Sequence, residues 1–193
     1  AFMKVVGLAG WSGAGKTTLL ARVIPVLTAR GLGVSTVKHA HHAFDIDQPG
    51  KDSHVHRSAG ATEVLVASGR RWALMHELRA AEEPRLAALL MRLSPVDLVI
   101  VEGFKREAHP KVEIHRAANG KPWLFPDISH VHGLICDADP PQWSGPRVGL
   151  DAAEAAADLM LEAAEPLADV VARLTVTAPL DLARQPRKAR RTG

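Results

Sequence analysis

Eight consecutive residues, Gly10-Trp11-Ser12-Gly13-Ala14-Gly15-Lys16-Thr17, carry the spacing G-x-x-x-x-G-K-[ST], and Thr18 follows. Each position has a task in holding a polyphosphate. Glycines let backbone N–H groups curl around anionic oxygens in φ/ψ values that a Cβ resists. Lys16 places a point charge against the β and γ oxygens, and the Thr17 hydroxyl is a magnesium ligand. Gly10, Ser12, Gly13, Ala14, Gly15, Lys16, Thr17 and Thr18 are therefore the candidate nucleotide-binding residues. The alternative, a glycine-rich turn that binds nothing, is weakened by the apolar run before the motif and the helical spacing after it.

Carboxylates complete the candidate site. Glu102 ends the apolar run Asp97–Val101, where it can hold magnesium directly or through a water, or orient an attacking water. Lys16 and Glu102 are accordingly the candidate catalytic residues. Asp45, Asp47 and Asp52 lie in a polar loop of the kind that approaches the metal, and Asp45 is taken as the further metal ligand beside Thr17 and Glu102. Guanine offers two adjacent donors that one carboxylate accepts together. Asp137, directly after the run Val131–Cys136, is the candidate for reading it; the competing reading is a turn aspartate in Asp137-Ala138-Asp139-Pro140-Pro141.

Ten histidines are present, five of them between His39 and His56. Imidazoles at His39, His41, His42, His54 and His56 suit zinc or nickel, but no cysteine lies near and the spacing fits no closed structural site. A solvated loop beside nucleotide or partner is the preferred reading.

The elements that must position these groups follow from periodicity. Residues 4–9 form an apolar strand, and Lys16–Arg30 a helix with Leu19, Leu20, Val23, Ile24 and Leu27 on one side. Pro25 inside that helix is expected to bend it or to free a backbone acceptor. Residues 34–37 are a second strand. A short helix capped at Asp52 or Ser53 precedes a hairpin, 62–66 and 72–75, turned at Ser68-Gly69-Arg70-Arg71. Glu82–Leu93 has the spacing of an amphipathic helix. The uninterrupted apolar run ending at Glu102 marks a parallel strand covered on both faces. Residues 112–114 and 131–136 are further strands, and an Ala-rich helix opens at Asp151 and breaks near Pro166; its Glu154, Asp158, Glu162 and Glu165 read as a solvated face. Strands alternating with helices define an α/β P-loop NTPase fold: a largely parallel sheet flanked by helices, with an inserted β-hairpin.

A chain of 193 residues is one domain, here 3–175, followed by a basic tail, 176–193. Arg184, Arg187, Lys188, Arg190 and Arg191 outweigh the net charge of +3, so the body is slightly acidic and the basic character belongs to the tail. Aromatic residues are only 4% and tyrosine is absent, which argues against a stacking platform for nucleic acid. One cysteine fits a reducing compartment, and no apolar run reaches the ~18 residues of a membrane span. A cytoplasmic location is expected, with neither membrane nor nucleic-acid partners.

The combination of Gly10–Thr17, Lys38-His39-Ala40-His41-His42-Ala43-Phe44-Asp45-Ile46-Asp47, Pro49-Gly50-Lys51-Asp52-Ser53, Arg57 with Ala59-Gly60-Ala61, and Val101-Glu102-Gly103-Phe104-Lys105 resembles the MobB family of molybdopterin-guanine dinucleotide biosynthesis adaptors. The resemblance covers roughly residues 3–165. It implies GTP and Mg2+ as ligands, weak GTPase activity at most, a homodimer, and an adaptor role for the guanylyltransferase that joins GMP to molybdopterin. Molybdopterin-bearing proteins are further partner candidates. Two other classes compete: a small-molecule P-loop kinase, with Arg70-Arg71 and Lys105-Arg106 as lid cations, and a GTP-dependent metallochaperone, argued only by the histidine loop.

Overall fold

The computed structural model describes residues 3–40 and 44–176. Strand β1 (Lys4–Ala9) leads through the glycine-rich loop into α1 (Lys16–Ala29), and β2 (Val34–Lys38) follows. Next come α2 (Asp52–Ser58), the hairpin strands β3 (Glu63–Ala67) and β4 (Trp72–His76), and α3 (Leu86–Leu90). The second half contains β5 (Leu98–Glu102), β6 (Lys111–His115), β7 (Val131–Cys136), β8 (Arg147–Val148), α4 (Ala153–Ala163), β9 (Glu165–Pro166) and α5 (Leu167–Val176).

The main sheet runs β2-β5-β1-β6-β7-β8, all parallel, with β9 antiparallel to the start of β1. Successive side chains of a strand point to opposite faces, and this alternation divides the core. Val6, Leu8, Leu98, Ile100, Val112 and Ile114 face α1 and α4. Val5, Val99 and Val101 face α3 and α5. Both faces are covered, which is why β1 and β5 are nearly continuous in apolar residues. The hairpin β3–β4 is a separate two-stranded sheet, as an inserted element should be.

Helix α1 runs from Lys16 to Ala29 with Pro25 inside it. Two expectations need correction. The helix expected over Glu82–Leu93 is confined to Leu86–Leu90, and Arg85 before it is extended. Pro84 accounts for the late start, because proline drives the residue before it out of the helical region. Pro166 does not merely end a helix: β9 places Glu165 and Pro166 opposite Val5 and Lys4 before α5 begins. The acids of the Ala-rich helix do form a solvated face at Glu154 and Asp158, where exposed ion pairs at 2.5 and 2.6 Å join them to Arg30.

Strand β6 holds the largest surprise. Its KVEIH pattern alternates polar and apolar, yet all five residues are buried. The Lys111 ammonium donates to the carbonyls of Glu107, His109 and Ser129 at 2.5, 2.8 and 3.3 Å. The Glu113 carboxylate accepts the N–H groups of Leu124 and Phe125, each at 2.8 Å. Burial pushes Lys111 down to about 8 and raises the Glu113 carboxyl. Both charges thus hold down the loops at either end of the strand beside β1.

Candidate functional site

Gly15 is the N-cap of α1, at φ +98°, and provides no side-chain cap; no acidic residue lies in the first turn. The positive φ is the conformation in which a residue with a Cβ is strained. Uncapped N–H groups and an uncompensated helix dipole make this helix start a seat for an anion. Thr17 and Thr18 are exposed there, while Ala14, Leu19 and Leu20 behind them are buried and fix the turn to the core.

Lys16 lies across the loop. Its ammonium donates to the carbonyls of Gly10 and Trp11, each at 3.0 Å. Burial holds it below the usual lysine range; Glu102 opposes that shift, and the charges of Lys105 and Lys38 add to it. Glu102 stands opposite Leu8 in β1 and Lys38 in β2, with Lys38 Nζ 3.9 Å from its carboxylate. Lys105 lies 4.5 Å from the centre of the Trp11 ring, a cation–π contact, and the Trp11 indole donates to the Pro122 carbonyl at 2.7 Å. Three lysines and one glutamate therefore surround the mouth of the loop at its β5 side. The site is electropositive, as an oligophosphate requires.

Gly103 carries the chain past this point at φ +96°, and a Cβ there would lie 2.6 Å from that of His39. The close approach lets His39 stack on Phe104, ring centres 4.6 Å apart, while its Nε2 meets Glu83 at 2.6 Å.

The other side of the loop is built by the residues after β6. The Asn119 amide donates to the Ser12 carbonyl at 3.0 Å, and the Ala117 N–H donates to Asp137 Oδ1 at 2.7 Å. Asp137 lines an open concavity of about 330 Å³ together with Cys136, Asp139 and Arg147. Asp139 is paired with Arg147 at 2.5 Å.

The structure thus brings together the phosphate-loop residues, Lys16, Thr17 and Glu102, with Asp137 at the end of β7. It places Asp45 differently from the expectation of a metal ligand. Both Asp45 oxygens accept from Arg57, at 2.8 and 3.0 Å, and Oδ1 also accepts the Asp47 N–H. Arg57 further bonds Glu77 at 2.9 Å, and Asp47 accepts the Ser53 hydroxyl at 2.8 Å. These contacts lock the acidic loop onto α2 and the hairpin. His41 and His42 lie outside the described residues, as does the tail beyond Val176. Among the described residues no three His, Cys, Asp or Glu side chains converge to hold a metal ion. Arg70 and Arg71 occupy the exposed hairpin turn. Sequence reasoning gave no role to Asn119, which ties the turn after β6 to Ser12. Its signal was topological: the loop after β6 reaches the phosphate loop only because β6 neighbours β1.

A parallel sheet between two helical layers, with a glycine-rich loop joining β1 to α1, defines a P-loop NTPase-like α/β protein. The family model described as "Molybdopterin guanine dinucleotide synthesis protein B" (MobB) matches residues 5–137. The chain belongs to this family. It is 48% identical over 118 residues to the molybdopterin-guanine dinucleotide biosynthesis adapter protein of Escherichia coli (strain K12), covering 60% of this chain and 67% of that relative. The protein of the same name from Haemophilus influenzae is 43% identical over 124 residues, 64% of this chain and 68% of the relative. A solved structure, that of molybdopterin-guanine biosynthesis protein B, superposes with a TM-score of 0.66 at 28% identity, over 82% of this chain and 97% of that one. No helix among the described residues is long and apolar enough to cross a membrane.

Proposed function

We propose that this chain is a GTP-binding adaptor, at most a slow GTPase, that assists the guanylyltransferase converting molybdopterin cofactor to its guanine dinucleotide form. The observation that carries the nucleotide part is the uncapped start of α1 with Lys16, Lys38 and Lys105 gathered at its mouth and Glu102 as the carboxylate among them. The adaptor part rests on the family and on what its close relatives are called. The protein works as a cytoplasmic homodimer, with molybdopterin-bearing proteins as further partners.

The backbone N–H groups of Gly13 and of Gly15–Thr18 donate to the phosphate oxygens, the Ala14 N–H being taken by the Trp11 carbonyl, and the Lys16 ammonium leaves the Gly10 and Trp11 carbonyls for the β and γ oxygens. Oxygen donors suit a hard cation: Mg2+ commonly takes one or two protein ligands, with phosphates and water completing its shell. The exposed Thr17 hydroxyl and Glu102 fit that requirement. Bound Mg2+ supplies charge neutralisation on the β and γ phosphates. Glu102 orients water, and Asp137, through the oxygen face left by Ala117, reads the guanine edge. Positioning and neutralisation are most of what a phosphoryl-transfer site contributes, so turnover stays low until a partner adds charge or orders a loop.

Reconstitution tests this reading. With guanylyltransferase, molybdopterin and GTP, the protein is expected to raise dinucleotide formation and Lys16→Ala is not. Equal stimulation by Lys16→Ala would contradict a nucleotide-dependent adaptor.

A further inference from the structure

We propose that Arg116 grips the phosphate nearest the ribose of the bound nucleotide, a role that rests on the nucleotide reading above and adds a residue to it. A Cβ built on Gly15 would lie 3.4 Å from one terminal nitrogen of the Arg116 guanidinium and 3.9 Å from its Nε. The guanidinium therefore lies against the last glycine of the loop, at the start of α1. Arg116 is exposed, and its side chain makes no hydrogen bond or ion pair among the described residues. Arg22, Arg57 and Arg147 are paired with acids, and several surface arginines such as Arg70 and Arg71 are not paired among the described residues; what sets Arg116 apart is that its guanidinium lies against Gly15 at the start of α1.

An unpaired arginine would ordinarily swing in solvent, but its backbone is pinned from two sides. The next N–H, that of Ala117, is held by Asp137, and Asn119 ties the same turn to Ser12 in the phosphate loop. The Arg116 carbonyl accepts the Asn119 N–H at 3.0 Å and closes the turn.

Polarity assigns the phosphate. In the order β5-β1-β6, Glu102 and Lys38 stand at the β5 side of the loop, whereas Arg116 and Asp137 stand on the β6 side. A triphosphate with its γ end at Glu102 must send its nucleoside toward β6, past Gly15. There a guanidinium meets the first phosphate, and its planar fork matches two phosphate oxygens as an ammonium does not.

The test titrates the full chain, Arg116→Ala, Arg116→Lys and Lys16→Ala with Mg·GTP, Mg·GDP and inorganic tripolyphosphate. Arg116→Ala is expected to weaken GTP and GDP alike, by about tenfold to a hundredfold as for a lost charge-assisted bond, and to weaken tripolyphosphate as well. Arg116→Lys should recover part of the loss, and the thermal midpoint without ligand should not move, since Arg116 is exposed. Unchanged GTP affinity in Arg116→Ala overturns the proposal, as does a loss for GTP that spares GDP. A loss for GTP that spares tripolyphosphate overturns it too and assigns Arg116 to the base. Wild-type protein that fails to bind GTP, or Lys16→Ala that binds it normally, sinks the nucleotide reading itself. Lys16→Ala defective with Arg116→Ala intact sinks only the role of Arg116.

Discussion

The carboxylate of Asp137 accepts the backbone N–H of Ala117 at 2.7 Å, joining the end of β7 to the turn that leaves β6. One residue thus braces the turn carrying Arg116 and Asn119.

Asp137→Asn separates this brace from the proposed reading of guanine. The amide oxygen can still accept from Ala117, so the brace persists and stability should change little. The carboxylate that suits guanine's two donors is lost, so GTP should weaken and xanthosine triphosphate, whose base exchanges a donor for an acceptor, should gain. Competition binding with both nucleotides checks this. If neither affinity moves, Asp137 is a brace alone.

The magnesium requirement distinguishes Thr17 from Asp45. Arg57 holds the Asp45 carboxyl below the usual carboxylate range, and the pair is already made without metal. Thr17→Ala should raise the Mg2+ concentration needed for GTP binding. Asp45→Asn should leave that requirement unchanged and instead loosen residues 45–57 toward limited proteolysis. A Mg2+ requirement shifted by Asp45→Asn as much as by Thr17→Ala would return Asp45 to the metal.

His109 should make the fold acid-sensitive. It is fully buried, both ring nitrogens lack hydrogen-bond partners, and its Nε2 would lie 2.4 Å from a Cβ on Gly7. Burial, with the Lys111 charge adding to it, drives its pKa from 6.5 to about 3; the Glu107 backbone opposes the shift without offsetting it, and His130 and Arg173 add further positive charge. Below pH 6.5 the unfolded chain takes up a proton that the folded chain refuses, so stability falls as pH drops from 6.5 toward 3. At about 1.4 kcal/mol per pH unit, this amounts to about 2 kcal/mol between pH 6.5 and 5. His109→Leu should reduce the slope of that part of the profile, with His115 and His130, also held low by burial, contributing the rest. Urea unfolding of both proteins at the two pH values measures the difference. An unchanged slope in the variant would show that His109 is not its source.

How much of this was legible in the sequence follows from range. The loop Gly10–Thr17 was legible locally, because eight neighbouring residues carry the whole motif. The runs that became β1, β5 and β7 were legible because strands covered on both faces need unbroken apolar sequence. The buried Lys111 and Glu113 were not, since their partners are carbonyls and N–H groups of distant loops, which carry no side-chain signature. Two-residue strands such as β8 and β9 are too short for any period. Asp45 has the type and setting of a metal ligand in sequence, whereas its partner Arg57, twelve residues on, is evident only in the fold. Arg116 and Asn119 acquired meaning only from the parallel pairing of β1 with β6.

The most direct test of GTP binding at the phosphate loop is calorimetric titration of the purified protein and Lys16→Ala with Mg·GTP and Mg·ATP. The expected result is binding of GTP in preference to ATP with almost no turnover, abolished in a folded Lys16→Ala protein. Equal or tighter binding of ATP, or GTP affinity untouched by Lys16→Ala, would contradict it.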